Sequence, residues 1–489
     1  MPGTSFLADL RSVLAERNFR RLFATRLISQ AGDGMFTAGL GAYVFFNQQT
    51  FPNPSAAAAA FAVLYLPYSL IGPFAGVFID RWSRRQILVW SALLRAAVVT
   101  FTASLVAVGS LGAPLYVSVL GVLGVNRFFL ASLSAALPHV VADDKLVMAN
   151  SVAPTTGTVV AFLGGLTGLG VHLATGAGAG GSAATLIAAG GCYLCAGSVG
   201  ATMRRDLLGP PRLGRGEQRA GLARELVLVI QGLASGARHV WRRRAATAVL
   251  AATASHRAMY GILLLASILL YRNYFYITSG ANSSLAHFTL VVVASALGYG
   301  AAALVTPVVT RRLSKQAWIA LLLLGGGVVA GALGPTFRPL SFLAIGLALG
   351  VVAQGVAICA ITILQQQVDD SYRGRVFALY DMLFNIPFVI GAAAAAQVIP
   401  ASGKSFLLIL VAALGYLAAA LAYAGASRQE LRLEPSPAVP GGPGTDRPAS
   451  PAVPSRPGSA RPPSAAASSE TADPPGAASP SAAPHRRSS

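Results

Sequence analysis

The chain has 489 residues, 54% of them hydrophobic and only 11% charged, with a mean hydropathy of +0.61. That balance excludes an ordinary soluble domain. The net charge of +20 does not mark a nucleic-acid binder, because the arginines sit in short segments between long apolar runs rather than on a soluble face with aromatic partners.

A segment that crosses hydrocarbon must pair its own backbone amides, which leaves the helix and the closed barrel, and a crossing helix takes roughly 20 mainly apolar residues. Barrel strands alternate polar and apolar residues, and these runs do not. Twelve runs begin near residues 22, 56, 86, 113, 147, 182, 246, 285, 316, 339, 375 and 404. The expected fold is an all-α polytopic membrane protein with twelve transmembrane helices.

Residues 1–21 form a short basic segment, and the first run after it is too long for a signal-peptide core, so it is expected to remain as an uncleaved helix. Residues 22–203 hold six runs, expected to make one six-helix bundle. Residues 204–245 form a linker with ten arginines from Arg204 to Arg244. Within it, GLARELVLVIQGLASGARHVW spaces its apolar residues at helical intervals, as an amphipathic helix on a lipid surface or a simple connector between bundles would. Residues 246–426 hold the other six runs. The tail, 427–489, is dominated by Pro, Ser, Ala and Gly and is expected to be disordered. Positive charge gathers on alternate connections, the others carrying only Arg272, Arg338 and Lys404. This places both termini in the cytoplasm of a multi-pass protein of the cell membrane.

The two sides of the linker resemble each other. DRWSRRQ from Asp80 matches TRRLSKQ from Thr310, VADDKLVMAN from Val141 matches VDDSYRGRVFAL from Val368, and Arg20 and Arg21 match Arg242 to Arg244, all at nearly one offset. Two pseudo-symmetric six-helix bundles follow, an architecture in which one half rocks against the other around a midplane site.

Between the second and third runs stands GVFIDRWSRRQIL, Gly76 to Leu88. It resembles the signature loop of the major facilitator superfamily, with Ser83 in place of a glycine, and the likeness covers about 400 residues. NFRRLFATRLISQAGDGMF, ALPHVVADDKLVMANS and QQQVDDSYRGRVFAL resemble the bacterial branch that exports drugs, macrolides and siderophores. Drug and proton antiporters of that superfamily commonly carry Gly-Pro ahead of Gly-Gly in the fifth helix; here Val160 and Ala161 precede Gly164 and Gly165. Gly76, Asp80, Arg81, Arg84 and Arg85 are expected to form a cytoplasmic gate with Arg373, Arg375 and Asp381. Asp80 would latch to the start of the eleventh helix near Arg375, gaining about 0.3 to 1 kcal/mol from the helix dipole. The alternative is that the arginines only set topology.

Charges inside spanning helices are functional candidates, since each costs a few kcal/mol. Asp33 and Arg127 both fall about 16 Å from the inner surface at 1.5 Å per residue. The resemblance, which places the first and fourth helices on the central cavity, implies that these two meet. They would form either a proton site, with Arg127 holding the Asp33 carboxylate ionised, or a static ion pair. His256 and Arg257 occupy the matching level of the seventh helix, as a proton relay or hydrogen-bonding residue and an anion contact respectively. Gln354 is expected to bond substrate. Asp381, about 9 Å from the inside, suits gating. Arg95 and Asn385 receive no role.

No nucleophile with its base and no metal cluster is evident. ASGKSF at Ala401 fails as a phosphate loop because Val398 occupies the first glycine position. Cys192, Cys195 and Cys359 lie within apolar runs as small packing residues. The chain is therefore read as a non-enzymatic secondary transporter without cofactor, a monomer among membrane lipids, exporting amphipathic small molecules in exchange for protons. The alternatives are a dedicated exporter of one metabolite such as a siderophore, an uncoupled facilitator, and a non-transporting sensor or scaffold.

Overall fold

The computed structural model describes residues 11, 14–46, 54–71, 74, 83–110, 112–142, 146–176, 178–204, 207–208, 222–276 and 280–433. Backbone pairing inside each segment dictates what forms there. Long helices, with no strand among the described residues, follow one another: α1 (Arg17–Gly41), α2 (Pro54–Ile71), α3 (Arg84–Ala107), α4 (Ala113–Ala136), α5 (Leu146–Ala174) and α6 (Ala179–Ala201). After α7 (Leu222–Trp241) come α8 (Arg244–Leu270), α9 (Gly280–Val309), α10 (Lys315–Leu333), α11 (Pro339–Gln367), α12 (Asp370–Ala396) and α13 (Phe406–Leu433). Ten of these, α3–α6 and α8–α13, are long and apolar enough to cross a membrane. Helix α1 is interrupted by Arg20, Arg21, Arg26 and Asp33, and α2 is an apolar helix of 18 residues.

The six helices before α7 and the six after it pack by one plan. Helix α1 lies against α5 and α6, and α3 against α4 and α6; in the second half α8 lies against α12 and α13, and α10 against α11 and α13. The repeat is visible in atomic detail where helices touch backbone to backbone. A Cβ added at Gly164 would meet the Ala31 carbonyl, and one added at Gly34 would meet that of Ala161. In the second half, Gly391 meets Ala258 and Gly261 meets Phe388, every residue shifted by the same 227 positions. Gly164 thus allows α1 and α5 to approach closely although the expected Gly-Pro is missing. Both α1 and α8 end in a five-residue π-helical turn, Ala42–Phe46 and Tyr271–Phe275.

Between halves, α2 packs on α12, and rings fill the seam. Phe61 and Tyr65 sit 5.2 and 4.7 Å from Phe388, ring centre to ring centre, and Phe46 lies 5.3 Å from Phe288. Offset and edge-on rings favour one another beyond the area they bury. These contacts lie towards the ends of α1 and α12 that face away from the chain termini.

Three helices begin about five residues earlier than their apolar runs. Helix α1 starts at Arg17 rather than near 22, α9 at Gly280 rather than near 285, and α12 at Asp370 rather than near 375. Hydrogen bonding continues through RNFRR and DSYRGR because a helix ends where its backbone partners end, whatever the polarity of the side chains. The linker forms α7, which rests on α12: Gly232 and Gly236 face Arg375, and the His239 ring stacks on Tyr372 at 4.2 Å. Arg243 grips Asp369 with two bonds of 2.8 and 2.9 Å. The opposite face of α7 shows Val227, Ile230 and Trp241, the last 80% exposed. Residues 434–489, which hold nearly all of the expected tail, lie outside the described residues.

The glycine contacts make a test of the repeat. Gly164→Ala and Gly391→Ala are each expected to destabilise the protein by about 1–3 kcal/mol, as overpacking does. Gly191→Ala, with no neighbour within 4 Å, leaves stability unchanged or raised. Thermal unfolding of the purified protein in detergent reads both.

Candidate functional site

Asp33 is the one carboxylate inside the described helices of the first half. Its partner is Arg95 of α3, which is fully buried and forms an ion pair with the Asp33 carboxylate. Arg95 also donates to Ser29 Oγ at 2.9 Å, one turn before Asp33 on α1. From α6, the Tyr193 hydroxyl donates to Asp33 Oδ1 at 2.9 Å, and from α4, Asn126 Nδ2 approaches Oδ2 at 3.4 Å. The Arg95 guanidinium rests over the Tyr193 ring, 3.8 Å from its centre. Four helices thereby meet on one carboxylate that keeps 20% of its side chain exposed. These further hydrogen bonds offset part of the desolvation cost of burying the pair.

The expected meeting of Asp33 with Arg127 is therefore corrected: Asp33 pairs with Arg95. One residue along a helix turns the side chain by about 100°. Asn126 points to Asp33, and Arg127 next to it faces the other half, where its charge acts on Asp381 of α12. Helix α12 starts at Asp370, so Asp381 lies eleven residues from its first residue, the initial ones belonging to the polar extension DSYRGR. Arg95, eleven residues from the start of α3, satisfied the same depth criterion that selected Arg127.

The second half answers with bases. His256 is buried with its Nδ1 3.0 Å from the Tyr416 hydroxyl, while its Nε2 has no hydrogen-bond partner among the described residues. The pairs Tyr193·Asp33 and Tyr416·His256 share a spacing of 160 residues. Arg257 is 6% exposed, and its Nε donates to the Phe384 carbonyl at 2.6 Å. Its guanidinium carbon lies 4.0, 4.9 and 5.3 Å from the ring centres of Phe384, Phe388 and Tyr260. No carboxylate is within ion-pair distance of it among the described residues. Gln354 is half-buried on α11.

Of the expected gate, Gly76, Asp80 and Arg81 lie outside the described residues. Arg84 donates to the His139 ring at 3.0 Å and to the Leu208 carbonyl. Arg85 donates to the carbonyls of Met203 and Ala201 at 2.7 and 2.6 Å, closing the end of α6 where carbonyls lack helical partners. Both serve their own half. Arg373 reaches the Gln365 carbonyl, and Arg375 lies beneath α7 with a 3.4 Å contact to Ser235.

A cavity of about 500 Å³ opens beside these groups, lined from α5, α8, α9 and α11 by residues including Val159, Phe162, Tyr260, Leu264, Tyr299 and Leu349. None of the charged residues above lines it, and no sequence signal marks it, because its walls are the same apolar residues that build every helix. No cluster of metal ligands occurs among the described residues.

No family profile matches the chain. It is 37% identical over 410 residues to an uncharacterized MFS-type transporter of Mycobacterium tuberculosis and equally to one of Mycobacterium bovis, covering 83% of this chain and 91% of each relative. Solved structures share the fold at low identity. The nucleoside transporter NupG aligns with a TM-score of 0.57 and 13% identity, over 84% of this chain and 98% of that one. The peptide transporter POT aligns with a TM-score of 0.64 and 13% identity, over 86% and 96%.

Arg95→Met leaves the Asp33 carboxylate without its cation and is expected to destabilise the protein by about 3–5 kcal/mol, the usual cost of halving a buried pair. Adding Asp33→Asn to it restores part of that loss. Thermal unfolding of the single and double variants measures the coupling.

Proposed function

The chain belongs to the major facilitator superfamily of membrane transporters, and from that premise we propose that it exports amphipathic small molecules in exchange for protons, as the drug-efflux branch does. The observation that carries this reading is the Asp33 carboxylate, mid-membrane, partly exposed and held by Arg95, Tyr193 and Asn126. A carboxylate poised beside a cation can exchange a proton when that cation's hold changes. Arg373, Arg375 and the arginines of the first loop lie at the face that carries both termini, which in this reading is cytoplasmic. The protein sits in the cell membrane as a monomer, and Trp241 with the apolar side of α7 rests in the inner leaflet.

In this mechanism the halves rock about the contact of α2 with α12. The rings of Phe61, Tyr65 and Phe388 hold the outer side shut, and substrate enters from the inner side or the membrane. Asn126 bonds the Asp33 carboxylate, and its neighbour on α4, Arg127, lies within electrostatic reach of Asp381 in the other half. A proton on Asp33 cancels its charge, leaves Arg95 to Ser29 and the Tyr193 ring, and loosens α1 from α3 and α4. That change on one side of Asn126 alters the pull of Arg127 on Asp381 and biases the rocking. His256 and Gln354 contribute polar contacts to substrate, and Gly76, Asp80 and Arg81 complete the inner gate.

Reconstitution into liposomes with a trapped pH-sensitive dye tests the reading. A gradient of one or more amphipathic fluorescent compounds is expected to move protons through the wild type, and Asp33→Asn to lower that proton movement by about 100-fold or more. Undiminished proton movement in Asp33→Asn refutes the coupling role. No movement of any compound by the wild type refutes broad export.

A further inference from the structure

Two buried arginines near mid-membrane are treated in opposite ways. Arg95 has its carboxylate. Arg257, equally removed from water, has three aromatic rings and one backbone carbonyl, with no carboxylate among the described residues. Rings and a carbonyl offset part of the cost of burying a guanidinium, but they supply no countercharge.

The environment around Arg257 joins it to the apolar cavity. Tyr260 forms one side of the aromatic cage and is also part of the cavity wall. Tyr299, another wall residue, lies within electrostatic reach of Arg257. Arg257 therefore lies behind these two tyrosines at one end of the cavity. The rest of its wall is almost entirely apolar, Ser267, Ser295 and Thr158 excepted. Its volume of about 500 Å³ suits a drug-sized molecule. Val159 of α5 and Leu297 of α9 both line it and are 53% and 65% exposed. In a chain that crosses the membrane, exposed apolar residues at that depth adjoin lipid hydrocarbon rather than water.

We infer that this cavity takes up an anionic amphiphile dissolved in the bilayer, which enters between α5 and α9 and directs its acidic head to Tyr260 and Tyr299, the part of the wall behind which Arg257 lies, while its apolar body fills the space between α8, α9 and α11. The inference rests on the reading of the chain as a transporter of amphipathic molecules, and it narrows that class to acids delivered through lipid. An acid supplies the countercharge that Arg257 lacks, and a cation of the same size would meet the guanidinium unscreened. Entry from the bilayer spares the apolar body a passage through water.

The test is equilibrium binding to the full chain in lipid nanodiscs, with no gradient present, so that its outcome does not depend on whether Asp33 couples transport to protons. The probes are a dansyl-labelled undecanoic acid and its primary amide, which differ only in the charge of the head. The wild type is expected to bind the acid about tenfold or more tightly than the amide. Arg257→Gln is expected to erase that preference while the amide binds as before, and Arg257→Lys to restore most of it. Ser295→Trp, which fills the cavity, weakens both probes alike. Equal binding of acid and amide by the wild type overturns the inference without any variant. An acid preference that survives Arg257→Gln overturns the role of Arg257, and undiminished binding in Ser295→Trp overturns the cavity.

Discussion

An interior of low dielectric constant makes every unanswered charge expensive, and the arrangement of this protein follows from how each mid-membrane charge is answered. Asp33 and Arg95 answer each other, and Ser29, Tyr193 and Asn126 add hydrogen bonds to them so that α1, α3, α4 and α6 converge on one point. Arg127 is answered from the opposite half by Asp381. Arg257 is answered by rings. The three solutions differ in what a proton or an anion does to them. Neutralising Asp33 removes one member of a closed set, whereas an anion beside Arg257 completes an open one.

That difference falls across a repeat that is otherwise close. Corresponding glycines bring α1 to α5 and α8 to α12, and both leading helices end in a π-helical turn. Backbone packing is thus shared between halves while charge is not: Asp33 pairs with Arg95 in the first half, whereas the second buries His256 and Arg257 without a carboxylate at ion-pair distance among the described residues. A pair of bundles built this way can rock as similar rigid bodies and still bind unlike species, a proton on one side of the seam and an amphiphile on the other. The contacts at the seam are aromatic, through Phe61, Tyr65 and Phe388, and rings slide and re-pair at lower cost than hydrogen-bonded groups buried without water.

Helix α7 adds a brace at the face of the termini. Its glycines admit Arg375, its His239 stacks on Tyr372, and Arg243 at the start of α8 holds Asp369 at the start of α12. The linker is therefore fastened to the second half, and its other side exposes Trp241. Arg85 does comparable work in the first half by closing carbonyls at the end of α6. Basic residues thus tie down helix ends, where the dipole and the free carbonyls both favour a cation.

The sequence by itself determined the class, the helical crossings, the duplication and the amphipathic linker, because hydrophobic length, charge asymmetry and spacing act along the chain and need no partner. It also brought Asp33, His256 and Arg257 to notice, since an ionisable residue in an apolar run stands out wherever it packs. What only the tertiary structure decided was direction. Asn126 and Arg127 are neighbours in the chain and separate in space, because about 100° of helical turn points one at Asp33 and the other at Asp381. Arg95 becomes the partner of Asp33 for the same reason: depth is set by position in the run, but which face a helix presents is set by the close glycine contacts that fix its rotation against its neighbours. The cavity beside Tyr260 and Tyr299 had no trace in the sequence, since it is the space left between four apolar helices, and a space is defined only once all of its walls have been placed.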